Sequence, residues 1–101
     1  MTVFVAHEQN KTSDRRARAI VFDLQSQNPS HCFVPASIAF RHLYDGDFSD
    51  DVIFEIECDL LCNCDQLLIV SDLSPVMRRQ IDFARKVGME VIDLADKYRT
   101  I

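Results

Sequence analysis

Apolar and polar positions follow two rhythms along this chain. Thr2-Val3-Phe4-Val5-Ala6 and Leu67-Leu68-Ile69-Val70 are short continuous runs of β-branched and large apolar residues. That is the pattern of strands covered on both faces. His31 to Val34 and Glu90 to Leu94 are shorter runs of the same kind, the first ended by Pro35, which cannot donate to a ladder. Between them the apolar residues recur every three or four positions, as on one face of a helix. Ala17, Ile20, Val21 and Leu24 form one such stripe, Val52, Ile53, Ile56, Leu60 and Leu61 a second, and Met77, Ile81, Ala84 and Val87 a third.

The helix ends are marked as well. Ser13, Ser49 and Ser74 are placed to cap the three helices, because a serine hydroxyl accepts from a free N–H of the first turn. Asp50 and Asp51 follow Ser49 at the end of the helix that favours acidic side chains. Pro75 falls at the first helical position, where its missing N–H costs nothing, and Gly88 stands where that helix should stop. Asn28-Pro29-Ser30 and Asp45-Gly46-Asp47 read as turns. Ala36 to Tyr44 is apolar enough to pack but too mixed to assign, and Ala95 to Ile101 reads as a tail or a final helical turn.

The order β-α-β-α-β-α-β predicts an α/β fold, a small Rossmann-like or flavodoxin-like three-layer sandwich. Right-handed crossovers and four strands predict a parallel sheet of order 2-1-3-4, with Leu67 to Val70 central and parallel to Thr2 to Ala6. In such a sheet the winding reverses between the first and third strands, and ligands bind outside the carboxyl ends there. The loops that meet at this point are His7 to Ser13 and Ser71 to Ser74. Free N–H groups at the start of the Ser74 helix could hold an anion or a polar ligand there.

With 101 residues, the chain is read as one domain spanning 1–101. Its net charge of −5 argues against a nucleic-acid backbone or an anionic membrane as the main partner. The first residues lack the basic segment of a signal peptide, and no run approaches a membrane span. The expected location is the cytoplasm, where Cys32, Cys58, Cys62 and Cys64 are thiols. Cys58, Cys62 and Cys64 lack the paired C-x2-C knuckles of structural zinc sites, so no metal and no cofactor is expected. No glycine-rich phosphate loop and no G-x-S-x-G nucleophile elbow occurs.

The layout from Val3 to Leu94 resembles the nucleoside 2-deoxyribosyltransferase-like family, in particular its small bacterial and phage members. The resemblance is carried by a first strand ending in a polar loop, Arg18-Ala19 on the first helix and Val34-Pro35-Ala36 at a strand end. It continues through Leu60-Leu61-Cys62-Asn63-Cys64-Asp65 before the Leu67 strand, and is most specific at Ser74 to Ala84. The resemblance implies a covalent glycosyl intermediate formed by a glutamate that attacks C1′ of deoxyribose, as in retaining glycoside hydrolysis. At the matching position this chain has Gln80, and Val76 stands where the family has glycine. A glutamine keeps the shape of a glutamate but is a poor nucleophile.

The ligand-binding residues implied are His7, Asp72, Ser74, Val76, Met77 and Gln80. Three readings follow. The chain is a catalytically degenerate domain that binds a nucleoside, nucleotide or related small molecule. Alternatively it is an active N-glycosidase or deoxyribosyltransferase that uses another carboxylate, such as Glu8, Asp72 or Asp51. The third reading is a non-enzymatic interaction module. A carboxylate touching Gln80 and facing the cleft would favour the second. Self-association as a dimer or higher oligomer is expected, with Phe40, Leu43, Tyr44 and Phe48 supplying apolar surface.

Overall fold

The structure, a computed structural model, describes residues 1–99. Its strands are β1 (Thr2–Ala6), β2 (Cys32–Pro35), β3 (Gln66–Ile69) and β4 (Glu90–Asp93). Its helices are α1 (Lys11–Gln27), α2 (Ala36–Ala39), α3 (Arg41–Tyr44), α4 (Asp50–Leu61), α5 (Pro75–Lys86) and α6 (Ala95–Tyr98). All strand pairs are parallel and the order is β2-β1-β3-β4. Phe4 stands opposite Val34 on one side and Leu67 on the other, and Leu67 opposite Val91.

The two-residue period of the strands divides the core between the two faces of the sheet. Phe4, Ala6, Leu67 and Ile69 face Leu61 of α4 and Met77, Ile81 and Ala84 of α5. Val3, Val5, Leu68 and Val70 face Ile20 and Leu24 of α1 and Tyr98 of α6. Each fully buried Leu, Ile, Met or Phe contributes about 1.5–3 kcal/mol from removal of its apolar surface from water. The strands are therefore apolar on both faces because each face carries its own core.

Several boundaries differ from the sequence pattern for local reasons. The cap of α1 is Asn10, whose side chain accepts from the N–H of Ser13 at 2.9 Å, so the helix starts before the expected Ser13. Pro35 is the last residue of β2, so the strand ends there as expected but includes the proline, which an edge strand tolerates because one row of its N–H groups has no partner strand. Residues 36 to 44 form two single-turn helices joined at Phe40. Val52 and Val87 are exposed, so neither belongs to its helix's inner stripe. The caps by Ser49 and Ser74 are present, with Val52 and Met77 as donors at 3.3 and 3.2 Å. Gly88 ends α5 at φ +81°, a conformation that side-chain-bearing residues rarely adopt. Thr100 and Ile101, part of the expected tail, lie outside the described residues.

No helix among the described residues is long and apolar enough to cross a membrane. Nor do three or more His, Cys, Asp or Glu side chains there converge as metal ligands would.

Candidate functional site

Two polar clusters are buried along the carboxyl edge of the sheet, and the α2–α3 segment touches both. The first is built on the end of β1. His7 is 1% exposed, and its Nδ1 lies 3.1 Å from the carbonyl oxygen of Glu8. A carbonyl can only accept, so Nδ1 carries the proton and Nε2 is a bare acceptor. Nε2 is buried without a partner. The Ser37 hydroxyl of α2 donates to Asp14 of α1 and lies 3.4 Å from His7 Nδ1. Arg41 of α3 donates to the same carboxylate through Nε, at 3.1 Å, and Nη2. Burial holds the His7 imidazole below its usual pKa, against the opposing pull of Asp14. Asp14 is held below the usual carboxylate value: the bonds from Ser37 and Arg41 together outweigh its desolvation.

The second cluster lies between α4 and α5. Gln80 is 0% exposed, and its amide nitrogen donates to Oε2 of Glu57 at 2.8 Å. The Tyr44 hydroxyl of α3 donates to the same oxygen. Glu57 is itself 1% exposed, yet no Lys, Arg or His lies within ion-pair distance among the described residues. Burial pushes its pKa up, opposed by the two neutral donors and by the more distant charge of Arg79. The Tyr44 phenol is also pushed up, by burial first and then by its bond to Glu57. Gln80 Oε1 is buried without a partner.

Glu57 lines a cleft of about 80 Å³ with Tyr44, Ile53, Phe54 and Val76. Asp50, Pro75 and Arg79 complete its rim. Arg79 stacks on the Phe54 ring, 4.2 Å from its centroid, and pairs with Asp51 at 3.2 Å. Both hydrogen bonds to Glu57 fall on Oε2, so among the described residues its other carboxylate oxygen is the one without a protein donor. The cleft therefore offers an apolar and aromatic wall beside a buried carboxylate with an acceptor to spare.

The residues singled out in the sequence are distributed unevenly around this edge. Val76 lines the cleft, and Gln80 lies behind Glu57. His7 belongs to the other cluster. Ser74 caps α5 and donates to Gln9 Oε1 at 3.0 Å, tying the two crossover loops together. Met77 is core. Asp72 is exposed and paired with Arg99 at 3.1 Å. Of the alternative carboxylates, Asp51 and Asp72 point to solvent, and Glu8 bonds Asn10 at 3.3 Å. Of the four residues expected to support self-association, Leu43 is buried, Phe40 and Tyr44 are half-buried, and Phe48 is exposed.

Glu57, Asp14, Ser37 and Arg41 were not picked out by the sequence reading, and Tyr44 was taken only as apolar surface. Glu57 did leave a signal: it sits four residues from Ile53 and from Leu61, a charge in the middle of a buried stripe. Compared with known proteins, the chain matches no family model, no curated protein and no solved structure.

Proposed function

We propose that this chain is a catalytically degenerate domain of the nucleoside 2-deoxyribosyltransferase-like type that binds a nucleoside, nucleotide or related small molecule at the carboxyl edge of the sheet. The observation that supports this reading is the state of Gln80. It occupies the position at which the resemblance expects the attacking carboxylate, it is neutral, and it is sealed from solvent with its amide nitrogen held by Glu57. A buried amide cannot open a glycosidic bond as a nucleophile. What remains for a ligand is the adjoining cleft between α4 and α5.

The second reading, an N-glycosidase using another carboxylate, is favoured by one feature. Glu57 touches Gln80 and lines the cleft. Asp51 and Asp72, considered for that role from the sequence, are exposed and ion-paired.

Both readings are tested by a thermal-shift screen against nucleosides, nucleotides and sugar phosphates, together with an assay for released base. A ligand that binds only the folded chain raises its melting temperature. The expected outcome is a rise with at least one of these ligands and no saturable base release. Saturable release that survives Gln80→Ala and is lost in Glu57→Gln would replace the first reading by the second.

A further inference from the structure

We propose that the cleft between α4 and α5 selects an unphosphorylated ligand, held through a hydroxyl or amino group that donates to Glu57, and rejects the corresponding phosphate ester. This deepens the ligand-binding reading above and rests on it.

The cleft is short of donors. Glu57 is a buried carboxylate whose partners are two neutral donors, Tyr44 and Gln80, both on Oε2. Ionised, it needs further donors, and a ligand hydroxyl or amine supplies them in a water-poor setting where charge-assisted bonds are strong. Apolar and aromatic side chains around it, Ile53, Phe54, Pro75 and Val76, suit the ring edge of such a ligand. At about 80 Å³ the niche takes one donor-bearing part of a ligand and leaves the rest outside.

The same surroundings are poor for an anion. A phosphate would meet Glu57 and Asp50. The one cation on the rim, Arg79, is already committed to Asp51 and to the Phe54 ring. Helix N-termini usually welcome anions, but the two that border this cleft have only part of their first-turn N–H groups free. In α5, Pro75 has no N–H, the N–H of Met77 is taken by Ser74 Oγ and that of Arg78 by the Ser74 carbonyl, which leaves the single N–H of Val76 against the two carboxylates. In α4, Ser49 takes the N–H of Val52, and Asp50 and Asp51 already occupy the positive end of the helix. Glu57 also brings a pH signature. Its ionised form accepts a charge-assisted bond from the ligand and its protonated form only a weaker one, so affinity rises as pH rises through its raised pKa.

The test measures binding of 2′-deoxyadenosine and 2′-deoxycytidine, and of their 5′-monophosphates, by calorimetry across a pH series. Wild type, Glu57→Gln, Tyr44→Phe and the exposed Asp50→Asn are compared. A nucleoside is expected to bind and its monophosphate to bind at least about tenfold more weakly. Glu57→Gln, checked for folding by circular dichroism, should weaken the nucleoside about tenfold, the size of one charge-assisted bond, and flatten the pH profile. Tyr44→Phe removes a bond that favours ionised Glu57 and should move the profile to higher pH. Asp50→Asn should narrow the preference against the monophosphate.

Monophosphates that bind as tightly as the nucleosides would overturn the inference and leave the ligand-binding reading standing. So would undiminished nucleoside binding by folded Glu57→Gln or, where that variant does not fold, an unshifted profile in Tyr44→Phe. If neither class of compound binds to wild type at any pH, the ligand-binding reading falls and the inference falls with it.

Discussion

The two buried polar clusters share the same edge of the sheet, and α3 reaches into both, yet they are built on opposite electrical plans. In the His7 cluster the charges are matched: Asp14 takes donors from Ser37 and from two nitrogens of Arg41. In the Glu57 cluster a more deeply buried carboxylate, 1% exposed against 17% for Asp14, has Tyr44 and Gln80 as its donors among the described residues. The first cluster locks α1 to α2 and α3. The second carries an unrepaid desolvation cost at the wall of a cleft, a state that a bound donor can relieve. The difference teaches where to look for function. A carboxylate whose charge is matched is structural by default, whereas an under-satisfied one beside a cleft has something left to bind.

Deleting the shared acceptor of the matched cluster should have the largest effect. Asp14→Ala leaves Arg41 and Ser37 without their acceptor and should cost about 3 kcal/mol in urea unfolding. Glu57→Gln, which removes a charge that has no counter-ion among the described residues, should by contrast change neutral-pH stability by less than about 1 kcal/mol, or raise it. Equal losses in the two variants would erase the contrast.

Gln80→Glu sharpens the same point. It puts a second carboxylate 2.8 Å from Glu57 in place of the amide donor, so one of the pair must keep its proton. The expected loss is about 2 kcal/mol at neutral pH, recovering in acid where both are protonated.

The clusters should also titrate in opposite senses. The folded pKa of His7 is lowered from 6.5, so its contribution is present above pH 6.5 and is lost as pH falls through the lowered value. Asp14 behaves likewise from 3.8 downward. The folded pKa of Glu57 is raised from 4.5, so its contribution is full below 4.5 and is lost as pH rises through the raised value. Denaturation midpoints measured across pH should therefore rise toward neutrality more steeply in Glu57→Gln than in wild type. The smallest loss belongs to the Ser74 cap: Ser74→Ala should cost about 1 kcal/mol and loosen the start of α5, beside the cleft, without altering the Asp14 cluster.

Much of this molecule is written locally in its sequence. The strand runs, the Ser49 and Ser74 caps, Pro75 and the positive φ of Gly88 each depend on neighbours a few positions away, and together they define the parallel sheet and its order. The site is less legible because its partners come from distant segments. Tyr44, Glu57 and Gln80 meet only once α3, α4 and α5 have packed. The α2–α3 segment that joins the clusters consists of single turns, too short for a helical period to show. Glu57 was visible as a charge within an apolar stripe, but nothing local said that it would face Gln80.

Among the described residues Glu57 is a buried carboxylate without a counter-ion, and titration of its side-chain carboxyl carbon by ¹³C NMR measures the consequence directly, with Glu57→Gln to assign the resonance. The account predicts a midpoint above 4.5 in the free protein, moving down when a donor-bearing nucleoside is added. A Glu57 midpoint at or below 4.5 in the free protein would contradict it.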